Sequence, residues 1–277
     1  MSSEDKRTSP IGVFDSGIGG LTVYKALRAA LPHEDFIYLG DTAHLPYGTK
    51  SPEAVLQYTV QAARELMENN IKLLVIACNT ATAVALPSLP SLLEDLPCLG
   101  VIDPGAQAAA KTSITGRIAV LATEGTVKSG AYAAAIKHYR PDAHIQMLAC
   151  NLLVALVEEG WSDGAEADAI ISRYLSMLQP DFDVLVLGCT HFPLLASTIR
   201  KHLPASVQII DSASTTAIAV ETFLVRNDLL RVGTEVGKTS FYVTNAPERF
   251  ERLAERFLGY DINVENREPT NSYAART

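Results

Sequence analysis

Short apolar runs recur along the chain, each closing on small or polar residues: Ile11–Phe14, Phe36–Leu39, Leu73–Ala77, Ile118–Ala122, Val184–Leu187 and Val207–Ile210. Runs of this length, bounded by turn-forming residues, are the pattern of strands covered on both faces in a parallel sheet. Between them lie helix-length stretches, Leu21–Ala30, Pro52–Asn69 and Ala165–Leu178. In the second of these, Val55, Tyr58, Ala62, Leu66 and Met67 recur at helical spacing, and Pro52 follows Ser51, a residue suited to cap a first turn. The alternation predicts an α/β fold, with parallel sheets covered by helices and ligands at the carboxyl ends of strands. Residues 1–9 are polar and Glu265–Thr277 holds no apolar cluster, so both ends are expected to fray.

The pattern repeats internally. Ile11-Gly-Val-Phe-Asp-Ser-Gly-Ile-Gly-Gly leads to Leu74-Val-Ile-Ala-Cys-Asn-Thr, and Ile118-Ala-Val-Leu-Ala-Thr-Glu-Gly-Thr leads to Leu185-Val-Leu-Gly-Cys-Thr-His. The step from Asp15 to Cys78 is 63 residues, and that from Thr123 to Cys189 is 66. Each half has a strand ending in a polar, glycine-bearing turn, then a strand ending in a small residue, a cysteine and two polar residues. The expectation is two pseudo-symmetric α/β lobes with mainly parallel sheets, the active site in the cleft between them and one cysteine on each side.

Composition narrows the class. The 277 residues suit one large or two small domains, and 48% hydrophobic with 19% charged residues excludes general disorder. The net charge of −8 disfavours a broad basic face, so no direct nucleic-acid partner is expected. No apolar run approaches the ~20 residues that span a bilayer, and the polar start lacks a secretory apolar segment. These features read as a cytoplasmic protein with reduced thiols and no membrane partner. Four cysteines without a Cys-x-x-Cys pair match neither a disulfide scaffold nor a zinc site.

Cys98 and Cys150 lack a polar pair after them and read as core fillers. Cys78 and Cys189 each follow a buried-strand pattern and precede a helix start, where free backbone N–H groups and the helix dipole favour a thiolate and accept a carboxylate. Two facing thiols admit three chemistries. A redox disulfide lacks the adjacent-cysteine geometry. A metal site has His191 nearby but no evident third or fourth ligand. The third is an acid and a base acting on opposite faces of one carbon, which needs two matched sites of the kind a duplicated fold supplies.

Five motifs in order carry a resemblance over about Ile11 to Leu224: Val13-Phe-Asp-Ser-Gly-Ile-Gly-Gly-Leu-Thr-Val, Gly40-Asp-Thr-Ala-His-Leu-Pro-Tyr-Gly-Thr-Lys-Ser, Ala77-Cys-Asn-Thr-Ala-Thr-Ala, Ala122-Thr-Glu-Gly-Thr-Val-Lys-Ser-Gly-Ala-Tyr and Gly188-Cys-Thr-His-Phe-Pro-Leu-Leu. The chain resembles the bacterial glutamate racemases of the aspartate/glutamate racemase superfamily, with no motif residue missing. The resemblance implies cofactor-independent interconversion of L- and D-glutamate, without pyridoxal phosphate or metal, supplying D-glutamate for peptidoglycan and so for cell-wall biogenesis and cell shape. It implies a discontinuous first lobe of 1–102 plus 213–277 around a second lobe of 103–212. It also carries two partner expectations: a cell-wall precursor as activator, and a second copy of the chain in a homodimer.

The resemblance assigns Cys78 and Cys189 as the two acid–base groups and Asp15, His191 and Glu158 as their assistants. It assigns Asp15, Ser16, Tyr47, Gly48, Asn79, Thr80, Thr123, Thr190 and His191 to the substrate, with Thr126 beside them. The residue types fit: hydroxyls, an amide and backbone N–H groups suit two carboxylates and an ammonium. Plainer readings stand beside these. Asp15 is also placed to cap a helix, His191 to serve the core, Glu158 and Glu159 to form a solvated helix end, and Lys50 to be a solvated loop lysine. Two other functions compete: a thiol-redox protein, and an amino-acid binding protein that does no chemistry. Within enzymes, aspartate racemase is the rival.

Overall fold

The computed structural model describes residues 3–93 and 96–267. Among the described residues ten strands form two separate parallel sheets: β1 Ile11–Asp15, β2 Phe36–Gly40, β3 Leu73–Ile76, β4 Cys98–Gly100, β5 Arg117–Ala122, β6 His144–Ala149, β7 Val184–Gly188, β8 Gln208–Asp211, β9 Thr239–Val243 and β10 Val264–Asn266. The first sheet has the order β10-β9-β2-β1-β3-β4, and the second β6-β5-β7-β8. The internal repeat is therefore a repeat of topology: β2-β1-β3-β4 and β6-β5-β7-β8 follow one plan, and β9 with β10 extends only the first sheet.

The central strands β1, β2, β3 and β7 are buried along their whole length. Helices cover both faces, as a parallel sheet requires. The Leu21–Ala30 helix buries Leu21, Val23, Tyr24 and Leu27 on one side of the first sheet. The Pro52–Met67 helix buries Val55, Val60, Ala62, Ala63 and Leu66 on the other. It starts as its sequence dictates, with Ser51 Oγ accepting from the Ala54 N–H at 3.3 Å and Pro52 in the first turn.

The plan also fixes where a ligand sits. From β1 the chain goes to β2 on one side and then to β3 on the other, so the order reverses between the carboxyl ends of β1 and β3. The same reversal falls between β5 and β7. Crevices open at such points because the connections leave in opposite directions.

The ends depart from the expectation of fraying. Ser3–Thr8 is helical, and Val264–Asn266 pairs with β9. The first segment is held because the ammonium of Lys72, buried beside Glu34, donates to the Arg7 carbonyl at 2.6 Å and the Leu229 carbonyl at 2.9 Å. An ammonium taken out of water needs such acceptors. At the other end Arg267 N donates to Val243 O at 2.8 Å, and its guanidinium lies 3.5 Å over the Tyr242 ring. Residues 1–2 and 268–277, also expected to fray, lie outside the described residues.

Candidate active site

Asp15, Cys78, Thr123 and Cys189 stand at the carboxyl ends of β1, β3, β5 and β7, the four strand ends that flank the two reversal points. A cavity of about 230 Å³ opens there, and Cys78 and Cys189 both line it. Ser16, Tyr47, Gly48, Asn79, Thr80, Thr123, Glu158, Thr190 and His191 share its wall.

The two halves are brought together by small residues and hydroxyls. A Cβ on Gly19 would run into the Thr190 hydroxyl and the His191 ring, so only glycine lets the β1 turn approach the β7 end this closely. Thr22 Oγ1 donates to the Thr190 carbonyl at 2.9 Å. Opposite, the hydroxyls of Thr80, Thr123 and Thr126 form a triangle with sides of 2.8, 3.0 and 3.2 Å. Tyr132 OH donates to Asn79 Oδ1 at 2.8 Å, while the buried Asn79 Nδ2 has no partner, and Asn79 lines the cavity.

Cys78 caps the Asn79–Ala85 helix, its Sγ accepting from the Ala81 N–H at 3.4 Å. Burial, and then the nearby Asp15 carboxylate, push its thiol up to about 12, against the Ser16 hydroxyl and the Ala81 amide, which favour the thiolate. Asp15 is fully buried and does not line the cavity. Its Oδ2 accepts from the Gly17 N–H at 2.9 Å, while Oδ1 has no partner. Burial holds its carboxyl above the usual range, with the charge of His191 and the Gly20 and Gly17 amides opposing that shift. Asp15 lies behind the wall, where its charge bears on the Cys78 thiol.

Cys189 has different company. His191 is buried, with Nδ1 3.8 Å from Cys189 Sγ and Nε2 3.3 Å from Glu158 Oε1. Burial disfavours the imidazolium, but the hydrogen bonds to Cys189 and Glu158 outweigh it and push His191 up to about 10. Nδ1 thus faces a sulfur and Nε2 a carboxylate oxygen, the two groups that favour the charged ring. The hydrogen bond from His191 likewise holds Glu158 below the usual carboxylate range, against its burial. Glu158 ends the Asn151–Glu158 helix and turns into the cavity, whereas Glu159 is exposed.

Tyr47 lines the cavity, and its hydroxyl donates to Asp41 Oδ2 at 2.6 Å. Lys50 is exposed and off the cavity. Six wall residues escaped the sequence reading: Leu45, Pro46, Thr49, Asn151, Val154 and Ala155. Leu45, Pro46 and Thr49 fall within the Gly40–Ser51 motif and were open to notice. Asn151 carried only a weak signal, the start of a helix, where its Oδ1 accepts from the Glu124 N–H at 2.9 Å. Cys150 is fully buried, its thiol donating to the Leu148 carbonyl at 3.6 Å, and Cys98 is half-buried. Among the described residues no cluster of three or more His, Cys, Asp and Glu is placed to hold a metal ion, and no helix is long and apolar enough to cross a membrane.

The profile of the Asp/Glu/Hydantoin racemase family matches residues 11–220. A glutamate racemase of Geobacter metallireducens is 49% identical over 262 residues, covering 92% of this chain and 97% of the relative. The crystal structure of the glutamate racemase isoform RacE1 from Bacillus anthracis superposes with a TM-score of 0.91 at 39% identity, over 95% of this chain and 98% of that one. The Escherichia coli glutamate racemase, solved with L-glutamate and the activator UDP-MurNAc-ala, superposes with a TM-score of 0.77 at 29% identity, over 94% and 98%.

Proposed function

Because the chain belongs to the Asp/Glu/Hydantoin racemase family, we propose that it interconverts L- and D-glutamate by proton transfer between two thiols. The observation that carries this reading is that Cys78 and Cys189, from the ends of two topologically equivalent strands, line one cavity.

The α-hydrogen of an amino acid is far less acidic than a thiol, so removing it requires a stabilised carbanion and little water. Leu45, Pro46 and Val154 supply apolar wall. Asn79 Nδ2, the Thr80 and Thr123 hydroxyls, Ser16 and Thr190 supply donors for the two carboxylates. In one direction Cys189 is the thiolate. It takes the α-hydrogen as a proton and the C–H electron pair stays on carbon. Cys78, kept as a thiol by its burial, gives its proton to the opposite face. One S–H bond forms and one breaks, and the carbon ends inverted. The enzyme ends with its proton on the other sulfur, ready for the opposite enantiomer or for resetting through solvent. Asp15 tunes Cys78, and His191 with Glu158 holds the proton balance at Cys189.

The product serves peptidoglycan synthesis in the cytoplasm on this reading. The activator bound by the Escherichia coli relative makes a cell-wall precursor the expected regulator. The homodimer rests on the sequence resemblance alone. We assign residues 1–102 plus 213–277 to one lobe and 103–212 to the other, supported by the division of β1–β4, β9 and β10 from β5–β8.

The test is polarimetry with L-glutamate and L-aspartate, with and without a thiol reductant. Decay of rotation with glutamate alone, at a rate set only by whether the thiols are reduced, is expected. Equal or faster decay with aspartate, or no decay with either, would overturn the assignment.

A further inference from the structure

The Pro247–Leu258 helix lies beyond the residues matched by the family profile, and it packs on the Leu21–Ala30 helix and on β10. It belongs with the first sheet, yet it makes two contacts with the pair that serves Cys189. Phe257 meets the His191 ring edge-on, with centroids 6.0 Å apart at 85°. Arg249 Nη2 lies 3.8 Å from Glu158 Oε2. The two oxygens of Glu158 are thereby divided, with Oε1 on His191 and Oε2 on Arg249. A cation facing the second oxygen favours the rotamer that keeps Oε1 on the imidazole, by the modest amount an exposed ion pair provides.

We propose that Arg249 is a positioning residue for the racemisation, acting from the far half of the molecule to orient Glu158 against His191 and so to set the proton partner of Cys189. The chain of contacts runs Arg249, Glu158, His191, Cys189, and it crosses from the first sheet's helices to the second sheet's strand end. The inference rests on the two-thiol reading for its consequence in turnover, but not for the contact itself. The guanidinium is 57% exposed, so water weakens its pull and its effect is modest. Its charge also favours the ionised form of Glu158, behind the larger influence of His191. The other titratable groups facing the pair are Cys189 beside the ring and Asp15 at the end of β1.

The experiment compares Arg249→Ala, Arg249→Lys and, as a control on the same helix, Arg252→Ala. Arg249→Ala is expected to lower kcat/KM for glutamate about 2–5-fold near neutral pH, the size of an exposed ion pair. It should also move the acid limb of the pH profile upward as Glu158 loses its cation. Arg249→Lys should restore most of both, and Arg252→Ala should change neither. In a Glu158→Gln background Arg249→Ala should have no further effect. Independently of turnover, ¹⁵N spectra of histidine-labelled, substrate-free protein should show the His191 titration displaced by Arg249→Ala. An acid limb or a His191 titration left in place, or the same fold-loss with and without Glu158, overturns the inference. A wild-type protein that does not racemise glutamate overturns the underlying reading instead, and the spectra still decide the contact.

Discussion

The β3 end and the β7 end are the same backbone built twice, and they carry different electrostatics. Each strand closes on a small residue and a cysteine, and each sits beside a central strand whose end turns into a helix. At the β3 end Cys78 faces a buried carboxylate, Asp15, that is itself short of partners. At the β7 end Cys189 faces the His191 ring, which meets the Glu158 carboxylate on its other side. Duplication of a fold places two sulfurs at equivalent strand ends, but the polar residues packed around each of them differ. A reaction that inverts a carbon needs the symmetry of position. It also benefits from the asymmetry of charge, because one thiol must be loaded while the other is empty.

That comparison is broken most severely by removing either sulfur. Cys78→Ser and Cys189→Ser should each lower racemisation in both directions by about 10²–10⁴-fold or more, since a hydroxyl is a far weaker acid and base partner. In heavy water each variant should still exchange the α-hydrogen of one enantiomer, and the two variants should choose opposite enantiomers. Proton NMR of the recovered substrate checks this. Exchange of the same enantiomer by both would mean that the thiols do not face opposite sides of the carbon.

A smaller effect is expected from the partner residues. His191→Asn should cost about 10²-fold, the lower end of acid–base contributions. Enantiomers have equal free energy, so kcat/KM must fall equally in the two directions. The asymmetry will show in primary isotope effects measured separately from each enantiomer, with the larger change where Cys189 removes the α-hydrogen.

Asp15→Asn sharpens the contrast between stability and function. The folded carboxyl titrates above its ordinary value of 3.8, so folding disfavours the charged form. The native state is unpenalised below the ordinary value and loses stability as pH rises through the raised one. The amide removes that cost and keeps an oxygen for the Gly17 N–H. Calorimetry at pH 7 should find a higher Tm for Asp15→Asn, alongside lower activity. At a pH below 3.8 the difference in Tm should shrink. A lower Tm at pH 7 would contradict the strain assigned to this carboxylate.

The least effect on turnover belongs to the cysteines away from the cavity. Cys98→Ser and Cys150→Ser should keep kcat within about twofold, while Cys150→Ser should lower stability by about 1–3 kcal/mol, as expected when a hydroxyl enters an apolar site. Urea unfolding monitored by circular dichroism measures the second quantity.

Much of the fold was legible because it is written locally. All six apolar runs became strands, and Leu21–Ala30 is helical over its whole expected span. β4, β6, β9 and β10 were not foreseen. β4 and β10 are three residues long, and β6, at a sheet edge, mixes His144 and Gln146 among half-buried positions. An edge strand is stabilised by pairing with a neighbour distant in sequence, and its own pattern need not announce it.

For the site, the sequence by itself determined that two cysteines stand at equivalent strand ends, and the structure brings both to one cavity. A cysteine after a buried strand and before a helix start is a local arrangement, and it occurs twice. What only the tertiary structure decided is how those atoms are tuned. Asp15 is fully buried, with Gly20 packed against its side chain. The Tyr47 hydroxyl donates to Asp41. Glu158, equally readable as a solvated helix end, meets an imidazole 33 positions away, and Arg249 reaches it from a helix of the other half. Charge tuning depends on distance and exclusion of water, and both are set by which surfaces pack together across the chain.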